Sequence, residues 1–270
     1  MKNENQISYD PLLGDDDPAP YKVLNHDGHT PLLLICDHAS NRVPKKLAKL
    51  GLDDTQLGYH IGWDIGAAGV TQYISEKLNS PSVLCNYSRL VIDCNRQPGD
   101  PTSIPQVSDG IVVPGNQNLS EEQQVQRTEG VFWPYHHAIT EVGAHLWRKG
   151  KAPALFSIHS FTPELMSRHE DRPWHVAILW KRDPRLAAPM IEILSRKTGL
   201  RVGDNVPYSG WEDAYCIDMH GAAPGLPYCA IEIRQDLINT DDGVREWGEI
   251  LCDALSEIMQ DTSIFDVKHY

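Results

Sequence analysis

Phe156-Ser157-Ile158-His159-Ser160-Phe161-Thr162-Pro163 is the stretch on which the fold turns. An apolar run, Ala154-Leu155-Phe156, leads into a histidine set between two serines, and Pro163 closes the segment. A short apolar run bounded by a turn signal predicts a buried strand. If that strand ends in His-Ser, it presents an imidazole at a sheet edge, and open α/β sheets bind ligands at the carboxyl ends of their strands. His159 is open to two readings here, a core histidine bonded to a backbone carbonyl or a group that does chemistry.

Other apolar runs end in comparable groups. Pro31-Leu-Leu-Leu-Ile-Cys36, the mark of a strand buried on both faces, runs into Asp37-His38-Ala39-Ser40-Asn41. Pro44 opens a short helix over Lys45–Leu50, stopped at Gly51. Asp64 stands at or beside the start of a helix in which Ala67, Val70, Ile74 and Leu78 share one face. Ser82 to Tyr87 predicts a strand leading into Ser88-Arg89-Leu90-Val91-Ile92-Asp93-Cys94-Asn95-Arg96. Residues 97–118, rich in Pro, Gly, Ser and Asp, read as a long loop and as a lid over a site. Ser120-Glu-Glu-Gln123 is a capping box opening a long helix to about Arg148, with a break or kink expected at Pro134.

Downstream, Trp174–Trp180 and Tyr228–Arg234 predict strands. Asp183-Pro184 starts a helix that runs to Gly199, and Val244, Trp247, Leu251, Leu255 and Ile258 mark a C-terminal helix. Strands alternating with helices predict a single α/β domain over residues 21–270, with a mixed, mostly parallel sheet covered by helices on both faces. Residues 1–20 read as a flexible arm.

The chain has 270 residues and a formal net charge of −13, with a sequence pI near 5.3. That sign argues against a nucleic-acid partner. No apolar run is long enough to span a membrane, and the first ten residues lack an export-signal pattern, so the expectation is a cytoplasmic protein. Six scattered cysteines without a C-x-x-C predict buried free thiols.

His38, Asp64 and His159 would supply the three nitrogen and oxygen ligands that a catalytic zinc takes, leaving one position for water. Each also has a plain reading: a turn histidine for His38, a helix cap for Asp64. Glu232 sits between Ile231 and Ile233, so it points to the opposite sheet face from them. A carboxylate in a central apolar strand is costly unless paired or used. Arg234 on the same face would pair it; otherwise it is a general base beside an activated water. Arg89 and Arg96 offer guanidinium forks for a substrate carboxylate, or for an ion pair such as Arg89 with Asp93. His220, on a loop, is a candidate for lining the pocket. Tyr135-His136-His137 reads as packing or solvent, because adjacent helical residues do not face each other.

These pieces, in order, resemble the N-formylglutamate amidohydrolase family, in a branch of predicted amidohydrolases. The matching stretches are Cys36–Pro44, His60–Ala67, Tyr87–Arg96, Ser157–Pro163, Asp204–Tyr208 and Ile231–Leu237. The resemblance implies a zinc-dependent hydrolase of linear amides whose fold is similar to zinc carboxypeptidases and zinc cell-wall amidases. It implies His38, Asp64 and His159 as metal ligands and Glu232 as catalytic base. Asn95-Arg96 would hold a substrate carboxylate, supported by Arg89 or Arg234. Asn41 stands where the carboxypeptidases have a ligand glutamate, which moves the acidic ligand to Asp64. His₂Asp suits zinc, and manganese or iron would also bind. The expected reaction is N-formyl-L-glutamate to formate and glutamate. A zinc amidase or carboxypeptidase acting on peptidoglycan-derived fragments, and a non-catalytic carboxylate-binding protein of the same fold, are the alternatives.

Overall fold

The computed structural model describes residues 10–270 except Asp213. In chain order the elements begin with β1 (Tyr21–Leu24), β2 (Leu32–Cys36), α1 (Asp54–Gly58), α2 (Ala67–Leu78) and β3 (Ser82–Cys85). A small hairpin, β4 (Val107–Ser108) and β5 (Ile111–Val112), precedes α3 (Glu121–Arg127) and α4 (Trp133–Arg148). Then come β6 (Ala154–Phe161), β7 (Val176–Leu179), α5 (Pro184–Ser195), β8 (Val202–Asp204), α6 (Tyr215–Ile217), β9 (Tyr228–Arg234) and α7 (Asp241–Ile258).

Among the described residues, seven strands form one sheet in the order β1-β3-β2-β6-β9-β7-β8. Pairing is parallel except at β1/β3 and β7/β9. The mixed, mostly parallel α/β architecture read from the sequence is therefore the one observed. Leu32, Leu34, Phe156, Ile158, Ile231 and Ile233 pack toward α2, α5 and α7, while Leu33, Ile35 and Leu155 pack toward α4. Period-2 alternation thus splits each central strand between two apolar layers, which is why these runs read as continuously hydrophobic. Burying one such side chain contributes roughly 1.5–3 kcal/mol. All six cysteines are free and buried. Among the described residues, no helix is long and apolar enough to cross a membrane.

Several local expectations change. β6 does not stop at His159-Ser160, because β9 continues to pair with it out to Phe161 opposite Arg234. The segment Lys45–Gly51 is a 3₁₀ turn that passes through left-handed backbone at Ala48, Lys49 and Leu50. α2 starts at Ala67 and not at Asp64, because Gly66 takes φ +82° immediately ahead of it. Only glycine fits there: a Cβ would come 2.1 Å from the Ile238 carbonyl oxygen. The capping box at Ser120 forms as read, but the helix is interrupted by a π-turn at Thr128–Phe132 just before Pro134. That turn accommodates the proline's missing N–H. α5 ends at Ser195, short of Gly199. The part of the arm over residues 1–9 lies outside the described residues. From Asp10 onward the chain lies against the domain, with Leu12 buried in the core and the Pro18 carbonyl accepting from Tyr87 Oη at 2.7 Å.

Candidate active site

The site forms where β2 and β6 part. Their ladder ends with Ile35 opposite Ser157, and β2 stops at Cys36. The chain turns away as Asp37-His38, while β6 runs on beside β9 alone. Asp64 enters the gap: its N–H donates to the His38 carbonyl at 3.0 Å, and its Oδ2 accepts from Ser160 N–H at 3.3 Å. Ser160 Oγ also donates to the Ile65 carbonyl at 2.9 Å. The backbone released from β2 pairing therefore fixes Asp64, as buried polar groups must be satisfied. On β9, Glu232 is the register partner of His159, and both point away from the layer that takes Ile158, Ile231 and Ile233.

Asp64 Oδ2 lies 3.2 Å from His38 Nδ1 and 2.8 Å from His159 Nδ1. All three residues are buried. Each imidazole's other nitrogen faces a further carboxylate: His38 Nε2 is 2.7 Å from Asp93 Oδ1, and His159 Nε2 is 3.1 Å from Asp37 Oδ2. Asp37 is itself held by Tyr135, whose hydroxyl donates to its Oδ1 at 2.6 Å. With Nε2–H given to these carboxylates, each neutral ring turns its Nδ1 lone pair toward Asp64. Two lone pairs and a carboxylate oxygen facing one another repel unless protons or a cation lie between them. Carboxylate-backed histidines are the usual support of a metal ligand. His38, Asp64 and His159 therefore form a group that could hold one metal ion.

The charges agree. Burial and the Arg89 charge push His38 down, but Asp93 and Asp64 outweigh them and hold it above its ordinary value. His159 is raised further, since Asp37 and Asp64 overcome its burial. The same contacts hold Asp64 well below the usual carboxylate range and Asp37 at about 2, against burial in both cases. Three carboxylates thus attract positive charge to two imidazoles. Glu232 behaves oppositely: burial, with the Asp64 charge, pushes it up to about 7. Its Oε2 is buried without a hydrogen-bond partner among the described residues. A carboxyl group so placed suits proton transfer near neutral pH.

These groups line a cavity of about 520 Å³. Arg89, Asn95 and Arg96 also line it. Arg89 is the ion-paired residue that the sequence left open: its guanidinium is 2.8 Å from Asp93 Oδ2 and 3.4 Å from Asp64 Oδ1. Asn95 Oδ1 accepts from Cys216 N–H at 3.0 Å, fixing the side chain at the cavity wall. The hairpin turn forms another wall, where Asp109 Oδ2 sits 3.0 Å from His60 Nε2.

Two expected residues are not brought here. Arg234 shares the sheet face of Glu232 but lies beyond the cavity, and its guanidinium pairs with Asp236 at 2.7 Å. The Glu232–Arg234 pair, the alternative to the general-base reading, does not form, because Arg234 pairs with Asp236 instead. His220 stacks on His136, with Nε2 2.8 Å from His136 Nδ1, and is not a lining residue of the cavity. The parts that Asp37, Asp93 and Tyr135 play behind the two histidines went unread. Only the position of Asp37 next to His38 hinted at its part, since the contacts of Asp93 and Tyr135 join residues 55 and 98 positions apart.

The N-formylglutamate amidohydrolase family model matches residues 30–239. The chain belongs to this family. Its members hydrolyse amide bonds, so the protein is an amidohydrolase. The crystal structure of gene product Atu2144 from Agrobacterium tumefaciens is similar, at 31% identity and a TM-score of 0.88, covering 93% of this chain and 99% of that one. The N-formylglutamate amidohydrolase of Ralstonia eutropha JMP134 has the same fold, at 19% identity and a TM-score of 0.73 over 91% of this chain and 99% of its own. No curated protein matches the chain.

Proposed function

We propose that the protein is a zinc-dependent hydrolase of an N-acyl amide on a small acidic amino acid, most simply N-formyl-L-glutamate. One observation carries this: Asp64 Oδ2 stands within 3.2 Å of two Nδ1 atoms whose rings are backed by carboxylates, with Glu232 in register beside them. Two imidazole nitrogens and a carboxylate suit zinc, which takes three such ligands and leaves a fourth position open. When bound there, the ion supplies Lewis acidity, polarising an amide carbonyl and lowering the pKa of a water toward about 7.

Glu232 takes the proton from the attacking water and passes it to the departing amine nitrogen. Its partnerless Oε2 and its raised proton affinity support both halves of that transfer. Arg96 and Asn95 hold the substrate α-carboxylate, and Arg89 supports them while steadying Asp64 and Asp93. Fixing the substrate by a charged group converts binding into orientation. A cavity of about 520 Å³ suits a small molecule. The six buried free thiols favour a reducing compartment, the cytoplasm.

Chelator-stripped protein should release no formate from N-formyl-L-glutamate and should regain activity on zinc addition. Activity that survives chelation would remove the metal from the mechanism. Zinc-replete protein inert toward this compound would remove the substrate.

A further inference from the structure

Arg172 lies in the connection between β6 and β7, outside the ligand group, and lines the same cavity. Its side chain is only 1% exposed. A guanidinium so deeply buried is costly unless its charge is met. Here it is met poorly. One terminal nitrogen donates to the Thr162 carbonyl at 3.3 Å and the Tyr208 hydroxyl at 3.0 Å, both neutral acceptors. The other reaches Glu170 Oε2 at 3.4 Å, and that oxygen lies closer to Arg168, at 2.9 Å. Nε is buried with no partner among the described residues. The Tyr208 ring stacks under the guanidinium at 5.1 Å, fixing its plane.

Position gives this charge a use. Thr162, which anchors Arg172, is three residues beyond His159 along the extended chain, about 10 Å at strand rise. Arg89, by contrast, touches Asp64 directly. In an N-formyl amino acid the α-carboxylate lies beside the amide, within reach of groups next to the ligand group. The side-chain carboxylate of a glutamate is five bonds from the formyl carbon, roughly 6 Å when extended. Adding a ligand contact at one end and a hydrogen bond at the other spans on the order of 10 Å.

We propose that Arg172, planted on Tyr208 and Thr162, is the specificity residue of the site and receives the side-chain carboxylate of a dicarboxylic N-acyl amino acid. This rests on the substrate class above and assigns its second anion. Glutamate length is preferred over aspartate, whose carboxylate falls one methylene short, and glutamine, lacking the charge, leaves Arg172 with only the distant Glu170 carboxylate that Arg168 shares.

The test compares zinc-loaded wild type with Arg172→Met and Arg172→Lys. Wild type should favour N-formyl-L-glutamate over N-formyl-L-glutamine by on the order of 100-fold in kcat/KM, the scale of a charge-assisted contact. Arg172→Met should bring that ratio to within a few-fold of one, and Arg172→Lys should restore part of it. An unchanged ratio in Arg172→Met overturns the assignment. Calorimetry with glutarate, set against butyrate, separates this from the substrate reading. If no protein releases formate but glutarate binds wild type at least tenfold more tightly than Arg172→Met, the subsite stands and the formyl substrate falls. Equal glutarate binding by both proteins overturns the subsite. If Arg172→Met does not fold, the same comparisons are made with Arg172→Lys, where an unchanged ratio and unchanged glutarate binding overturn it.

Discussion

His159 and Glu232 are register partners on the parallel strands β6 and β9, with their side chains on one face of the sheet. An imidazole of the group that could hold a metal ion and a carboxyl group with one unpaired buried oxygen are therefore fixed side by side by the backbone ladder and not by a loop. Sites built on strands hold their geometry more closely than sites on loops.

Glu232→Gln keeps the shape and removes the proton acceptor. Turnover should fall by about 10²–10⁴-fold, the usual contribution of a positioned general base. The ion should stay bound, since Glu232 is outside the ligand group. Steady-state kinetics with metal analysis of the same sample checks both. Undiminished turnover would take Glu232 out of its role.

Asp93→Asn and Asp37→Asn test the carboxylates behind the histidines. Each should weaken zinc affinity by roughly 10–100-fold. Competition with a chelating dye reads this without any substrate. Wild-type affinity in both variants would show that the Nε2 contacts do not set the rings.

Much of this was legible in the sequence. His38, His159 and Glu232 each sit at the end of, or within, an apolar run, Asp64 stands just ahead of an amphipathic helix, and strand alternation alone places Glu232 opposite its isoleucines. The same alternation misled at Arg234, because it gives the face of a residue but not how far along the strand the cavity extends. Asp93 was visible only as an alternative partner for Arg89. Its contact with His38 depends on two segments folding together across 55 residues. The lid loop hides a hairpin, and Asp109-Gly110 was its signal. Both residues take positive φ in a two-residue turn between paired Val107–Ser108 and Ile111–Val112.

That turn joins three segments. Asp109 accepts from Met166 N–H at 2.7 Å and Ser167 N–H at 2.9 Å while facing His60. Asp109→Ala should loosen the cavity wall, raising KM by about tenfold more than it changes kcat, because misplaced walls cost orientation. Faster amide exchange over residues 107–112 and 165–168 should accompany it. Unchanged exchange would mean that the wall holds without Asp109.

His136 and His220 give a pH signature. Burial, together with the neighbouring imidazole for His220, holds both at about 4. The unfolded chain titrates near 6.5, so between these values it binds protons that the folded chain refuses, and stability falls as pH drops from about 6.5 toward about 4. His136→Gln should narrow the gap between urea midpoints measured near pH 7.5 and near pH 5. An identical gap in the variant would show that the pair does not titrate this way.

The most direct measurement is anomalous diffraction at the zinc edge from crystals grown with zinc. The expected result is one strong peak about 2.0–2.2 Å from His38 Nδ1, Asp64 Oδ2 and His159 Nδ1. The surface also carries His26, Asp27 and His145 within metal-binding distance of one another. A peak there and none beside Asp64, or coordination through the Nε2 atoms, would contradict the catalytic centre described above.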